Sequence, residues 1–181
     1  MRAPLADVSP GLKARIAGVF YLLTFLTGAY ALAVRSPLGT AAGLVAGACY
    51  IVVTVLLYDL FTPVSRSLSL LAALVSLAGI IAGPAGVTIV SPLVFFGVYC
   101  LLIGGLILAS RLLPRVVGVL MVCAGLGWMT FLSPTLAATL YPYNLAPGLV
   151  GEGALTLCLL VIGVNANTLN GQRHAPSGIY V

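Results

Sequence analysis

Charged residues are so sparse in this chain that the uncharged runs between them can be counted. Of its 181 residues, 8 are Lys or Arg and 3 are Asp or Glu, so that 6% are charged and 61% are hydrophobic. Ordinary soluble domains have about 25% charged residues. A folded surface in water cannot cover so large an excess of apolar side chains. The composition therefore predicts a chain that folds in lipid.

The lengths of the uncharged runs predict how often the chain crosses the membrane. A bilayer core takes about 20 helical residues per crossing. Residues 16–34 and 36–58 can each form one helix, whereas 67–110 and 116–172 can each form two, because proline-containing segments interrupt them. The predicted fold class is all-α, a polytopic transmembrane bundle with six helices, near residues 16–34, 40–61, 67–83, 93–110, 116–137 and 148–167.

The positions of the basic residues predict the orientation. With six helices, both termini, the second connection and the fourth connection share one side of the membrane. Seven of the eight basic residues lie on that side, and only Arg35 lies on the other. Because cytoplasmic loops carry an excess of Lys and Arg, both termini should face the cytoplasm. We therefore expect a flexible cytoplasmic lead at 1–13, a transmembrane domain at 14–168 and a cytoplasmic tail at 169–181. The seven residues are Arg2, Lys13, Arg15, Arg66, Arg111, Arg115 and Arg173.

The first apolar run has an alternative interpretation as a secretory signal. Residues 1–33 contain a basic segment and end in Ala31-Leu32-Ala33, which resembles a cleavage site. Signal peptides usually have an apolar region of 7–15 residues. The run here is longer, which favours a retained helix.

Asp59 lies near the predicted cytoplasmic end of the second helix. Its position predicts an interfacial ion pair with Arg66 or with a neighbouring loop arginine, since a charge near a helix end reaches the interface at small cost. The alternative is a station in a proton or cation relay.

Glu152 lies deeper in the membrane, in the first turns of the last helix. It follows Pro147, which occupies the start of the helix, where proline is favoured. The helix dipole favours an anion at this end, yet an ionisable group inside a bilayer costs a few kcal/mol unless it is paired or hydrated. No basic residue lies within the last four predicted helices. Glu152 is therefore expected to be protonated or to line an outward-facing wet cavity. Together with Asp59 and Arg66 it forms the candidate polar site.

Gly39, Gly43 and Gly47 recur every four residues, so they share one face of the second helix and allow a close helix neighbour. That neighbour is either another helix of the bundle, which we favour, or a partner protein or second copy of the chain. Gly104, Gly105, Gly125, Gly127 and Gly163 are assigned the same packing role.

Catalytic and cofactor motifs are not found in the sequence. The cysteines have no metal-ligand spacing, His174 is the only histidine, and no nucleophile or phosphate-binding motif is present. We expect no enzyme activity, no metal and no cofactor. The basic residues are scattered, which also argues against nucleic-acid binding. The cysteines, expected to be buried small hydrophobes, are Cys49, Cys100, Cys123 and Cys158.

Four segments resemble a known family. They are residues 15–23, residues 57–68, the run from Gly105 to Leu120 that contains Ser110-Arg111-Leu112-Leu113-Pro114-Arg115, and Gly151-Glu152 with the residues up to 164. In these segments the chain is similar to the bacterial integral membrane proteins called domain of unknown function 4386, from about residue 14 to about 167. It departs from their pattern at Cys158, where tryptophan is usual. The resemblance implies six helices in a bacterial inner membrane and no assigned activity.

The function expected from these observations is that of a non-catalytic membrane protein. It would be an accessory or interaction subunit, or a bundle that binds a small ligand or a lipid. The alternative is a small transporter or channel that uses Glu152 and Asp59 as polar stations. A transport pathway requires that Glu152 faces a cavity rather than lipid.

Overall fold

The regular elements of this protein are helical throughout the residues that its computed structural model describes, 8–82, 90–110 and 112–164. The all-α prediction is confirmed for these residues. Two single-turn 3-10 helices accompany the longer elements, at Thr130–Leu132 and Tyr143–Leu145. Within the described residues, the α-helices are α1 (Pro10–Ala33), α2 (Pro37–Phe61), α3 (Arg66–Ala82), α4 (Pro92–Ala109), α5 (Arg115–Met129), α6 (Pro134–Leu140) and α7 (Ala146–Val161).

Four of these helices begin at a Ser-Pro pair. The serine hydroxyl accepts a hydrogen bond from a backbone N–H of the first turn, and the proline occupies a position that needs no N–H donor. The caps are Ser9 on α1, Ser36 on α2, Ser91 on α4 and Ser133 on α6. The same dipeptide therefore marks helix starts at both long and short elements.

Five helical segments are long and apolar enough to cross a membrane, which gives the chain the architecture of a multi-pass membrane protein. They are Pro10–Ala31, Pro37–Phe61, Pro92–Ala109, Arg115–Leu132 and Tyr143–Val161. Helix α3 is apolar but shorter, with 17 residues. At 1.5 Å per residue it measures roughly 26 Å, slightly less than a typical hydrocarbon core.

The six longer helices form a closed ring in which each helix packs against two others. The principal contacts run from α1 to α2, α3, α4, α5 and α7 in that order, and α7 packs against α1 to close the ring. Short connections make successive helices antiparallel. Lys13, Arg15, Arg66 and Arg115 therefore lie at one end, here called the basic end, and Arg35 lies at the opposite end.

Glycines bring α4 and α5 into backbone contact at two levels. A Cβ added to Gly97 would lie 3.0 Å from the carbonyl oxygen of Gly125, and one added to Gly104 would lie 2.9 Å from that of Gly118. Such close approach is what glycine provides between helices in lipid. The packing role expected for Gly104 and Gly125 is confirmed.

Two other glycines from the predicted packing set behave differently. Gly105 has open space where a Cβ would lie, so it makes no close helix contact. Gly163 has a φ of +70° and its N–H donates to the carbonyl of Cys158, so its role is to terminate α7.

The predicted helix 116–137 is wrong in its last residues, after Leu132. α5 ends at Met129, a 3-10 turn follows, and α6 begins at Pro134 after its cap Ser133. Proline at 134 cannot donate the backbone bond that a continuous helix needs, so the apolar run divides there. The last predicted helix, 148–167, instead runs from Ala146 to Val161.

The first helix also differs from its predicted bounds, because it begins at Pro10 rather than near residue 16. Part of the predicted flexible lead is therefore helical. Cys49, Cys100 and Cys158 are buried free thiols as expected, whereas Cys123 is exposed on the bundle surface. The predicted tail 169–181 lies outside the described residues.

Candidate functional site

A cavity of about 790 Å³ lies inside the ring, in the half of the bundle away from the basic end. Its wall is built by the C-terminal halves of α1, α3 and α5 and the N-terminal halves of α2, α4 and α7. The lining includes Leu44, Ile51 and Leu149, which are exposed, so the cavity reaches the bundle surface. Its size is within the range of pockets for small organic ligands.

Glu152 lines this cavity and is only 4% exposed. The indole N–H of Trp128, on α5, donates a hydrogen bond of 2.9 Å to Oε1. The hydroxyl of Tyr21, on α1, donates a longer bond of 3.4 Å to Oε2. Each carboxylate oxygen thus has one neutral donor, and three helices that are distant in sequence meet at this group.

The local sequence of α7 explains how Glu152 reaches this position. Pro147 lies in the first turn and fixes where the helix begins. Gly148 leaves room for the indole of Trp128, and Gly151 lets α7 approach the backbone of Leu120 on α5. The carboxyl of Glu152 is therefore held against α5 rather than directed to lipid. Glu152 thus lines a cavity, while the expectations that this cavity faces outward and is wet, or that the carboxyl is protonated, stay predictions.

Aromatic rings surround the carboxyl on the interior side. Ring centroids are 5.7 Å apart for Tyr21 and Tyr50, 5.3 Å for Tyr50 and Phe96, and 5.6 Å for Phe96 and Trp128. All four residues line the cavity. The hydroxyl of Tyr50 is buried and has no hydrogen-bond partner among the described residues. Tyr50 as a whole is 7% exposed, and its hydroxyl has almost no accessible surface, so that hydroxyl is buried among the neighbouring rings rather than open to the cavity.

A layer of apolar side chains closes the cavity toward the basic end. Val53 follows Tyr50 by about one turn on α2, Leu155 follows Glu152 on α7, and Met121 precedes Trp128 on α5. These three side chains are each fully buried. Leu106 and Ile107 of α4 belong to the same buried cluster. Apart from the buried hydroxyls of Thr54 and Thr156, the described residues therefore place packed hydrocarbon between the cavity and the basic end.

Asp59 does not belong to this site. It lies at the basic end, is absent from the cavity wall, and forms an ion pair with Lys13 of α1 at 2.5 Å. Lys13 is 4% exposed and Asp59 is 42% exposed. An ion pair was expected, but with Arg66 or a loop arginine. That choice of partner is wrong, because α1 extends further back than predicted and places Lys13 beside the end of α2.

Arg66 starts α3 as an exposed residue, so the structure does not unite the three members of the predicted polar site. Glu152 lies at one level of the bundle, and Asp59 lies at another with its own partner. Arg15, Arg35 and Arg115 are also exposed. Of the described residues on the cavity wall, Glu152 is the only charged one, and no Lys or Arg in the described part forms an ion pair with it.

The glycine face of α2 lies toward its neighbours in the bundle. Gly39 abuts the carbonyl of Val34 in the connection from α1, Gly43 lies near Ala31 of α1, and Gly47 lies near Ile80 of α3. Gly43 and Gly47 also line the cavity. These contacts fit the packing interpretation, while an interface with a partner or a second copy stays a prediction.

No protein-family model matches the chain, and neither the curated proteins nor the solved structures contain a match to it. The resemblance to domain of unknown function 4386 thus stays a prediction. In the described residues, no group of three or more His, Cys, Asp or Glu side chains is arranged to hold a metal ion.

Sequence analysis identified Glu152 but missed its partners. Trp128 is the only tryptophan in the chain, and that rarity was the available signal. Tyr21 and Tyr50 had no comparable signal, because tyrosine within an apolar helix also occurs as ordinary core. Only the closure of the ring brings these residues together.

Proposed function

We propose that this protein binds a small apolar or amphiphilic ligand, such as a lipid or a lipophilic metabolite, inside its helical ring. The observation that carries the proposal is the cavity of about 790 Å³ with the hydrogen-bonded carboxyl of Glu152 on its wall. Ligand pockets typically combine a mostly apolar wall with a few oriented polar groups. The role is non-catalytic, as an accessory or ligand-binding membrane protein.

The same proposal includes a topology of six spans with both termini in the cytoplasm of a bacterial cell. The positions of Lys13, Arg66 and Arg115 at one end of the ring support it, since basic residues favour the cytoplasmic side. The cavity then lies in the outer half of the membrane. Reporter fusions at residues 36 and 143 should give periplasmic signals, and fusions at 64 and 113 cytoplasmic ones. A periplasmic signal at 64 or 113 would refute this orientation.

A transporter or channel is the alternative function. Glu152 faces a cavity, as transport requires. However, the buried layer formed by Val53, Leu155 and Met121 separates that cavity from the basic end, where Asp59 is paired with Lys13. Binding therefore has more support than a continuous pathway through Glu152 and Asp59.

Filling the cavity should abolish binding. Gly28 of α1 lines the cavity and has no heavy atom within 4 Å of an added Cβ, so Gly28→Phe places a ring in the ligand space without a backbone clash. Gly105→Phe is the matched control, because Gly105 is exposed, has equally open surroundings and is not on the cavity wall.

Trp128 serves as the reporter, because it is the only tryptophan and lies on the cavity wall. A neutral bromoalkanol, whose bromine quenches indole fluorescence at short range, is titrated into each protein in maltoside detergent. We expect a saturable component of quenching in the wild type and in Gly105→Phe, and its loss in Gly28→Phe. Quenching that is identical in all three proteins would refute binding in the cavity.

A further inference from the structure

Among the residues that the structure describes, the cavity wall has one acidic group and no basic partner for it. Its described wall carries Glu152 as the sole charged residue, buried beside Trp128 and Tyr21. Those two residues donate neutral hydrogen bonds, one to each oxygen. A buried carboxylate is stabilised chiefly by a positive partner. None of the described residues takes that place.

The surroundings of the carboxyl suit a cation with apolar substituents. Tyr21, Phe25, Tyr50, Phe96 and Trp128 all line the cavity. Faces of aromatic rings attract organic cations, most strongly for tryptophan and where the site is shielded from water. Rings therefore surround the position that a positive group near Glu152 would occupy.

The apolar part of the wall points to the same ligand class. Away from Glu152 the wall consists of residues such as Ile51, Ile80 and Leu93, which match alkyl or aryl substituents. An inorganic cation would leave most of a cavity of about 790 Å³ unfilled.

We infer that the ligand of this cavity is a lipophilic organic cation, whose positive group pairs with Glu152 among the aromatic rings and whose apolar part fills the remaining space. The inference rests on the proposed function, since it names the chemical class that the binding site accepts. The positive group belongs either to a free amphiphilic cation or to the headgroup of an amine-containing lipid. Both sources share this chemistry.

Two hydrophobic ions of nearly equal size and shape, tetraphenylphosphonium and tetraphenylborate, test the inference. Equilibrium dialysis of the radiolabelled ions against the wild-type protein in maltoside measures saturable binding without any substitution. We expect the cation to bind with an affinity at least about tenfold higher than the anion, because only the cation can pair with the carboxylate. Equal affinities would overturn the inference.

Glu152→Gln keeps the shape of the side chain and removes its charge. We expect the ratio of affinities for tetraphenylphosphonium and the neutral bromoalkanol to fall at least about tenfold. An unchanged ratio in a folded variant would overturn the inference. If the variant does not fold, the comparison of the two ions on the wild type still decides. A wild type that binds no probe saturably, the bromoalkanol included, would instead refute the proposed function.

Competition separates the two sources of the cation. Dispersed phosphatidylethanolamine should displace tetraphenylphosphonium more effectively than phosphatidylglycerol if the site takes a lipid headgroup. Equal, weak displacement by both lipids assigns the site to a free cation. Stronger displacement by phosphatidylglycerol, which has no positive group, would contradict the inference.

Discussion

Gly148 lies directly against the indole of Trp128, so that an added Cβ would be 2.5 Å from Cζ2 and 2.8 Å from Nε1 of that ring. This contact fixes the distance between α7 and the ring whose N–H donates to Glu152. Gly148 therefore helps to shape the proposed ligand site, although it has no side chain to contribute.

Gly148→Ala should displace the indole from the carboxyl of Glu152. Overpacking of this kind costs about 1–3 kcal/mol of stability, and the loss of the hydrogen bond should shift the emission of Trp128. Gly153→Ala is the control on the same helix, since no heavy atom lies within 4 Å of its added Cβ. Thermal unfolding and emission spectra of the two variants check the prediction, and equal behaviour would contradict it.

The ion pair of Lys13 and Asp59 should respond unequally to the loss of its two members. Asp59→Asn leaves a buried ammonium without its anion, whereas Lys13→Met leaves a carboxylate that is 42% exposed and stays hydrated. Removing a partner from a fully buried pair costs about 3–5 kcal/mol. Here we expect about 1–3 kcal/mol for Asp59→Asn and less for Lys13→Met, measured by thermal unfolding in detergent.

Arg66→Met provides the control for this pair. Arg66 is exposed at the start of α3, so its removal should change stability by no more than about 0.5 kcal/mol. If Arg66→Met lost as much stability as Asp59→Asn, the result would support the ion pair of Asp59 with Arg66 that the sequence predicts.

Adjacent glycines on α4 should differ sharply in their tolerance of alanine. A Cβ at Gly104 would lie 2.8 Å from the side chain of Val122 and 2.9 Å from the carbonyl of Gly118, whereas one at Gly105 meets nothing within 4 Å. Gly104→Ala should therefore cost about 1–3 kcal/mol by separating α4 from α5. Gly105→Ala should be neutral. Melting temperatures of the two variants test this prediction. An equal loss of stability in Gly105→Ala would show that the contact between α4 and α5 is not the cause.

Two buried serines on α3, Ser69 and Ser76, should also differ in how much an alanine substitution changes stability. Thr54 of α2 donates to the carbonyl of Tyr50, so the 2.7 Å contact between Thr54 and Ser76 is a bond donated by Ser76. The hydroxyl of Ser69 has no partner among the described residues. Ser76→Ala should cost about 0.6–1 kcal/mol, while Ser69→Ala should leave stability unchanged or raise it. Thermal unfolding of both variants measures the two changes in stability. A larger loss in Ser69→Ala than in Ser76→Ala would contradict the prediction.

The helical class and most helix bounds follow from the sequence, because lipid requires long apolar runs and charge ends them. The ends of α2 and α3 lie within a few residues of their predicted positions. The error at α5 was avoidable in principle, since Ser133-Pro134 repeats the Ser-Pro start of α1, α2 and α4. Apolar character alone does not show where a helix bends into a short surface segment.

The site was only partly predictable for a different reason. A buried carboxyl is visible in the sequence as a single charge within an apolar run, which is how Glu152 was found. Its donors Trp128 and Tyr21 lie 24 and 131 residues away. Which helices adjoin α7 depends on the closure of the ring, and helix-by-helix patterns of hydrophobicity carry no such information. The same applies to Lys13, whose pairing with Asp59 depends on how α1 packs on α2.

Closure of the ring by α1 and α7 has a consequence for biogenesis. Tyr21 is made early in translation and Glu152 late, so the proposed ligand site forms only after α7 has joined α1. A nascent chain that stops before residue 152 lacks the site, however well its earlier helices insert. A ligand bound at the proposed site would stabilise the closed ring, so it would favour the last step of assembly, in which α7 joins α1.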